Sequence, residues 1–218
     1  MKDFSPTQFF SLEGFVFAAL FEKTDFVWEA LVRLLPYLEK QKLGKIESSI
    51  GEGVYLQERE KISIGPGCVI EPGAFIQGPC IIGPKTTIRH GAYIRGGVIT
   101  GADCVIGHAT EIKHAILLNG AKAPHLNYVG DSIIGRDVNL GAGAKLANFR
   151  ADHEEIIIHK KFPTGLKKLG AILGDGVQLG CNAVTNPGTL IGPHSFCLPC
   201  LSIGGVFPKQ SQIRESTW

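Results

Sequence analysis

Residues 64–99 read IGPGCV IEPGAF IQGPCI IGPKTT IRHGAY IRGGVI when they are written in blocks of six. Every block opens with Ile, and its fifth residue is small or modest in size. The same period continues to Pro124 and places mostly aliphatic residues at its first position: Thr100, Ile106, Ile112, Leu118 and Pro124. A hexapeptide period is typical of a parallel β-helix, in which each block supplies one short strand and one turn. We therefore expect the first and fifth residues to point into a narrow core.

The hexapeptide pattern divides the chain into three parts. Residues 1–48 lack it, residues 49–203 carry it, and residues 204–218 form a polar tail. It is interrupted at about 125–133 and again at about 149–170. Insertions in a solenoid become loops and often form its binding face. The sequence predicts an all-β chain with a short helical N-terminal segment.

Half of the eighteen aromatic residues lie within the first forty positions. Asp25 is a candidate N-cap for a helix whose apolar residues recur from Val27 to Leu38, and Pro36 should kink or shorten it. The segment is too small to hold its own core. We expect it to pack on the first coils or on a neighbouring subunit.

Composition excludes several classes of function. The net charge of +2 comes from interspersed charges, so no nucleic-acid partner is expected. The early apolar stretch, residues 15–21, is too short to span a membrane and lacks the basic flank of a signal peptide. A cytoplasmic protein with reduced cysteines is expected, and the lone CxxC motif from Cys197 to Cys200 is weak evidence for zinc.

Three strands of six residues complete one coil, so residues 18 apart should lie one above the other. Gly65, Gly83, Gly101 and Asn119 then form one corner. Arg95 and Lys113 form a stacked pair of cations, which a phosphate group would satisfy. A solvated basic edge explains the same spacing equally well.

His125 lies where the pattern is first interrupted, within KAPHLNYVGD, residues 122–131. A histidine is more often structural than catalytic, but Glu111 stands one coil earlier and could hold its imidazole in one tautomer for general-base catalysis. His90, His108 and His114 follow aliphatic positions, yet they lack the spacing of an intersubunit zinc site. We therefore expect no bound metal.

The run at 122–131, together with DVNLGAG at 137–143 and KKLGAILGD at 167–175, resembles the acetyltransferase domain of bifunctional UDP-N-acetylglucosamine pyrophosphorylase/glucosamine-1-phosphate N-acetyltransferases. The resemblance extends from about Ile64 to Ile203. It implies a left-handed parallel β-helix, assembled as a homotrimer with its sites between subunits.

The resemblance also implies roles for individual residues. His125 matches the general base and Glu111 its partner. Contacts to the sugar phosphate match Arg95, Lys113, Tyr128, Asn139 and Lys168. Positions that line the acetyl-CoA site match Ala142, Asn148 and Cys181.

The chain departs from the family pattern at Phe149, Pro124 and Cys181. The segment before the repeats is too short for a pyrophosphorylase domain, so a separate uridyltransferase would have to supply that step. The implied function is acetyl-CoA-dependent N-acetylation of an amino-sugar 1-phosphate, with glucosamine 1-phosphate favoured, in UDP-N-acetylglucosamine synthesis. The alternatives are an acyltransferase for another sugar nucleotide and a non-catalytic β-helix that binds a sugar nucleotide or a protein.

Overall fold

A computed structural model describes residues 3–217 as a parallel β-helix, which confirms the predicted left-handed fold class. Each coil contributes one short strand to each of three faces, and the strands of a face pair in parallel from one coil to the next. Met1, Lys2 and Trp218, which the predicted segments include, lie outside the described residues.

The strands of face 1 are Tyr55–Gln57, Phe75–Gln77, Tyr93–Ile94, the first part of Glu111–Leu117, the first part of Tyr128–Ile134, Lys145–Leu146, Val184–Thr185 and Ser202–Ile203. Those of face 2 are Ile62–Ile64, Cys80–Ile82, Val98–Thr100, the later parts of the same two long strands, Ala171–Leu173, Thr189–Ile191 and Val206–Phe207. Those of face 3 are Val69–Ile70, Thr87–Ile88, Val105–His108, Lys122–His125, Asn139–Leu140, Gln178–Leu179, Phe196–Cys197 and Gln212–Ile213.

The six leading isoleucines of the repeat, Ile64, Ile70, Ile76, Ile82, Ile88 and Ile94, are all buried in one continuous core. The fifth-position residues Cys68, Ala74, Cys80 and Ala92 belong to the same core, where only small side chains fit at the corners. Packing of dry aliphatic side chains along the axis is the main stabilising contribution of a solenoid.

The predicted period is wrong by one residue after Ile112. Leu117 enters the core, whereas Leu118 packs outside it, and Ala123 rather than Pro124 takes the next inward position. The shift occurs at His114, because Ile112 is aligned with Ile94 but Ala115 is aligned with Val98. Two successive coils have 17 residues each, because the same contraction recurs at Asp131, where Ala115 is aligned with Ser132. The glycine column therefore ends with Asn119 beside Ala102 rather than Gly101.

The solenoid also extends beyond both predicted boundaries. Ile46 forms a parallel bridge with Ile64, so coiling begins before residue 49. The predicted tail contains two further strands: Val206–Phe207 pairs with face 2 and Gln212–Ile213 with face 3. Short strands of two residues with polar flanks give too little periodicity to reveal these last strands in the sequence.

The N-terminal segment covers the outer side of face 2. There a second apolar stripe stands outside the core, each member in register with the next: Ile81, Ile99, Ile116, Ile133, Ile172, Leu190 and Val206. The cluster that covers this stripe includes the buried side chains of Phe4, Phe9, Leu20 and Trp28. The segment therefore packs mainly on central coils, not on the first ones.

Two 3-10 turns, Pro6–Gln8 and Ala18–Phe21, and helix α1, Glu29–Glu39, make up this segment. The N-cap of α1 is Trp28, not the predicted Asp25, and Pro36 lies inside the helix without ending it. Half-buried Asp175 fastens the segment to the solenoid, since its carboxylate accepts hydrogen bonds from the backbone N–H of Ser11 (2.7 Å) and of Arg136 (2.8 Å).

The second interruption forms a hairpin of two antiparallel strands, Ile157–Ile158 and Phe162–Pro163. The ring of Phe162 packs against Phe4 (centroids 5.1 Å apart) and Phe26 (6.0 Å). The inserted hairpin and the N-terminal segment therefore share one apolar cluster on the outside of the β-helix.

Candidate functional site

The candidate general base His125 stands at the corner where face 3 ends and face 1 begins. Buried Asn127 fixes this corner: its Oδ1 accepts from the backbone N–H of His125 (3.1 Å), and its Nδ2 donates to the carbonyl of Gly141 (2.7 Å). The side chain of His125 is exposed and forms no hydrogen bond with any residue in 3–217. Its imidazole is therefore available to solvent and to ligands.

The predicted partnership between Glu111 and His125 is absent among the described residues. Glu111 Oε1 instead accepts a hydrogen bond from Arg95 Nη1 at 2.7 Å, and both side chains are partly exposed. This hydrogen bond raises the pKa of the Arg95 guanidinium. Arg95 also lies 6.0 Å from the centroid of the Tyr93 ring, which is in register with Glu111.

Asp131 is the centre of a second, buried cluster. Its carboxylate accepts from Lys113 Nζ at 2.8 Å and pairs with His114 Nδ1 at 2.9 Å. Asn148 Nδ2 donates to it as well, and Tyr128 Oη lies 3.4 Å from Asn148 Oδ1. Burial alone would raise the pKa of Asp131, but hydrogen bonds from His114, Lys113 and Asn148 outweigh it and lower that pKa to about 2.

The cluster occupies the corner at which the coil is one residue short. The preceding coil turns there through Gly96 and Gly97, but the next two turn through His114 (φ 45°) and Asp131 (φ 47°) alone. Non-glycine residues with positive φ are strained and persist where surrounding contacts hold them. The pairing of His114 with Asp131 supplies such contacts.

The remaining candidates lie on neighbouring coils. On face 3, Asn139 is in register with Lys122. Ala142 and Cys181 occupy consecutive turns, since the carbonyl of Ala142 accepts from the N–H of Asn182 (2.8 Å). Lys168 pairs through its backbone with Phe149, and its Nζ lies 5.8 Å from the Phe149 ring centroid.

The structure thus brings Arg95 to Glu111, and Lys113, Tyr128 and Asn148 into one network around Asp131. It does not bring Glu111 to His125. Asp131 and His114 were not predicted as site residues, although Asp131 ends the KAPHLNYVGD run. The five-residue step from Ile112 to Leu117, marked by the doublet Leu117-Leu118, was the available signal for this corner.

A separate cavity of about 320 Å³ lies between the N-terminal segment and the first coils, lined in part by Phe17, Lys42 and Pro84. It contains none of the candidate site residues. Within residues 3–217, no three His, Cys, Asp or Glu side chains are grouped as metal ligands. No helix in that range is long and apolar enough to cross a membrane.

A family model described as the GMPPB C-terminal domain matches residues 76–197, more than half of the chain. The chain belongs to this family. The match covers the corner of His125, the Asp131 cluster and the turns of Ala142 and Cys181.

Several curated relatives of this GMPPB C-terminal domain protein are named as bifunctional proteins. A bifunctional sugar-1-phosphate nucleotidylyltransferase/acetyltransferase from Sulfurisphaera tokodaii is 42% identical over 90 residues, which are 40% of this chain and 22% of that protein. The bifunctional protein GlmU of Heliobacterium modesticaldum is 29% identical over 171 residues, 77% of this chain and 31% of that protein. The chain therefore matches about a fifth to a third of the length of these relatives.

Among solved structures, the UDP-N-acetylglucosamine acyltransferase of Francisella novicida overlaps 73% of this chain and 62% of its own, with 17% identity and a TM-score of 0.34. AntD, an N-acyltransferase from Bacillus cereus solved with dTDP and coenzyme A, overlaps 84% of this chain and 89% of its own, with 14% identity and a TM-score of 0.30. Neither overlap is close enough to indicate a shared activity.

Proposed function

We propose that this chain is an acetyl-CoA-dependent N-acetyltransferase that acts on an amino-sugar 1-phosphate, with glucosamine 1-phosphate as the favoured acceptor in UDP-N-acetylglucosamine synthesis. The observation that carries the proposal is the exposed imidazole of His125, which no other described residue hydrogen-bonds, at the edge of the face that bears Arg95, Lys113 and Tyr128. The names of the bifunctional relatives support the same class of reaction.

The proposed reaction requires a base of near-neutral pKa. The amine attacks the thioester carbonyl as a neutral nucleophile and loses a proton to the His125 imidazole as the C–N bond forms. The C–S bond then breaks, and coenzyme A leaves as a thiolate. A carboxylate from Glu111 would stabilise the imidazolium that has formed.

The other candidates supply binding in this proposal. Arg95, Lys113, Tyr128, Asn139 and Lys168 surround the sugar phosphate, and Ala142, Asn148 and Cys181 line the acetyl-CoA site. Binding energy at the phosphate would place the amine against the acetyl carbon. The assembly is a homotrimer with its sites between subunits, and a separate uridyltransferase would use the product.

Thiol release from acetyl-CoA, measured with glucosamine 1-phosphate, tests the proposed base. His125→Ala should lower kcat by roughly 10²–10⁴-fold with little change in the acceptor KM, because general-base loss acts on the chemical step. His108 is a matched control, since it is also exposed and lies in register with His125 one coil earlier. His108→Ala should retain wild-type turnover.

Wild-type turnover by His125→Ala would refute the assignment of the base. Absence of turnover by the wild type with any amino-sugar phosphate would favour the alternative of a non-catalytic binding protein. A panel of other amino sugars and sugar nucleotides distinguishes the favoured acceptor from another acyltransferase substrate.

A further inference from the structure

Two of the six cysteines are exposed, and they belong to consecutive turns of the solenoid. Cys181 lies in the turn that precedes strand Val184–Thr185, and Cys200 lies in the turn that precedes Ser202–Ile203, which is the next strand of face 1. The backbone N–H of Cys200 donates to the carbonyl of Cys181 at 2.8 Å. Neighbouring coils therefore hold two exposed thiols side by side, although the sequence separates them widely.

This hydrogen bond limits the distance between the two Cα atoms. The Cα of Cys181 is about 2.4 Å from its own carbonyl oxygen, and the Cα of Cys200 is about 1.5 Å from its nitrogen. With 2.8 Å between oxygen and nitrogen, the Cα atoms lie within about 6.7 Å of each other. Disulfide-bonded cysteines have Cα atoms roughly 4.4–6.8 Å apart. The backbone spacing of this pair therefore suits a disulfide bond.

The CxxC motif does not supply a competing pair. Cys197 belongs to the core and is only 3% exposed, whereas Cys200 is exposed outside it. Burial raises the pKa of the Cys197 thiol to about 11 and the pKa values of Cys80 and Cys104 to about 12. Such thiols hold almost no thiolate near neutral pH, and the thiolate is the reactive form. The reactive cysteines are the exposed ones.

Cys181 is also one of the residues proposed to line the acetyl-CoA site. In the assembled protein that site must admit coenzyme A, so a smaller thiol reagent reaches the same turn. This accessibility rests on the proposed function. Cys200 does not need to meet the reagent, because a thiol held on the neighbouring coil reacts within the molecule at a high effective concentration.

We propose that Cys181 and Cys200 form a reversible modification site, at which a low-molecular-weight disulfide oxidises the two thiols to an intramolecular disulfide. First the Cys181 thiolate attacks one sulfur of the reagent, a mixed disulfide forms and one reagent thiolate leaves. The Cys200 thiolate then attacks the Cys181 sulfur, and the second reagent thiolate leaves. Both protein sulfurs are oxidised, the reagent is reduced, and the two thiol protons pass to solvent.

Oxidised glutathione is the probe, added to the folded, assembled wild type. The number of free thiols, counted afterwards in denaturant, should fall from six by two, and the mass of the chain by that of two hydrogen atoms. Chymotryptic cleavage at Leu190 and Phe196 separates the two cysteines, so their peptides should be recovered as one linked species. Dithiothreitol should restore all the thiols.

Single variants distinguish an intramolecular disulfide from simple modification of one thiol. In Cys200→Ser no second thiol displaces the reagent, so a stable glutathione adduct should accumulate on Cys181. The wild type should accumulate no such adduct. Cys197→Ala is the matched control, because it removes the buried thiol of the CxxC motif and should be oxidised like the wild type.

An unchanged thiol count in the treated wild type would overturn the proposal. A stable adduct on the wild type, a link between two chains, or a link that is lost in Cys197→Ala would overturn it as well. Linked Cys181 and Cys200 in a protein that transfers no acetyl group would contradict the proposed function and leave the modification site intact.

Acetyl-CoA, which has no free thiol, tests the connection between the two proposals. At about ten times its Kd it should slow oxidation of the wild type roughly 10-fold, because only about a tenth of the sites stay free. Oxidation that acetyl-CoA does not slow would remove Cys181 from the acetyl-CoA site, while the disulfide itself would still confirm the modification site.

Discussion

The buried carboxylate of Asp131 holds three neighbouring side chains in place. It receives hydrogen bonds from Lys113, His114 and Asn148, and its pKa is lowered from 3.8 to about 2. A carboxyl group whose pKa is lower in the folded than in the unfolded chain stabilises the fold when it is charged. That contribution is complete above about pH 4 and is lost as the pH falls towards about 2.

We therefore expect Asp131→Asn to remove part of the acid sensitivity of the protein. The wild type should lose roughly 2 kcal/mol of unfolding free energy between pH 4 and pH 2 from this group, because folding lowers its pKa from 3.8 to about 2. The variant should be less stable at pH 7, because Lys113 is left without its partner, and it should show a shallower slope between pH 4 and 2. Urea unfolding at several pH values measures both effects.

Asp103→Asn is the matched control for this experiment. Asp103 is an exposed aspartate that also holds a positive φ, of 57°, in a corner turn. Its replacement should leave the pH dependence of stability unchanged. Equal slopes for the wild type and Asp131→Asn below pH 4 would show that the cluster does not hold Asp131 in its charged form.

The site was only partly predictable from the sequence. The spacing of 18 residues correctly placed Arg95 beside Lys113, because both residues lie before the shortened corner. The Glu111–His125 pair was inferred from the position of Glu111 one coil earlier and from the family resemblance, but in the structure Glu111 pairs with Arg95. The role of Asp131 depends on the missing residue in the corner at His114. The two corners stacked there bring side chains together that a regular six-residue period does not align.

At the level of structural elements, the inner face was easier to predict than the outer one. The inward isoleucines repeat every six residues and stand out at once. The outer stripe that binds the N-terminal segment appears only once per coil, in doublets such as Ile81-Ile82, Ile133-Ile134 and Leu190-Ile191. An apolar doublet on every third strand is a usable signal for a covered face, and it predicts where an appended segment will dock.

The inserted hairpin should depend on the N-terminal segment for its order. Phe162 is its apolar anchor, placed between Phe4 and Phe26. Phe162→Ala should free the hairpin and accelerate tryptic cleavage after Lys160 and Lys161, because local opening exposes the backbone to protease. Cleavage rates under native conditions, followed by mass spectrometry, measure the effect.

Ile157→Ala is the control on the same hairpin, since the side chain of Ile157 is 49% exposed. It should leave the cleavage rate close to that of the wild type. Equal rates for Phe162→Ala and the wild type would mean that the strand pairing of the hairpin, not its contact with the N-terminal segment, keeps it ordered.

For the whole molecule, the continuous core makes the solenoid depend on each of its coils. Ile82 is fully buried, with 0% of its surface exposed. Ile82→Asp should unfold the chain, because an unpaired charge in a dry core costs several kcal/mol or more. Circular dichroism should show the loss of strand structure, whereas Ile82→Val should cost about 0.5–1.5 kcal/mol and keep the fold. A folded Ile82→Asp variant would contradict this account of the core.

The outer side of face 1 is a candidate surface for assembly, because it carries a ladder of aromatic side chains that remain partly exposed to solvent. Tyr55, Phe75 and Tyr93 are in register on successive coils, and Tyr55 and Tyr93 are 60% and 38% exposed. The Arg95–Glu111 pair follows on the same face. Contiguous exposed aromatic side chains on a flat surface are typical of protein interfaces. A second copy packed on this ladder would adjoin the candidate phosphate site, as the proposed homotrimer requires.

Light scattering at micromolar concentration should give the mass of a trimer for the wild type and of a monomer for Phe75→Glu, since a charge buried in the interface would lack a partner. Val69→Glu places the same charge on face 3, where Val69 is 57% exposed, and should remain trimeric. If the trimer completes the site, monomeric Phe75→Glu should keep its strand content and lose thiol release. A stable wild-type monomer would remove the trimer, and full activity of that monomer would place every catalytic group within one chain.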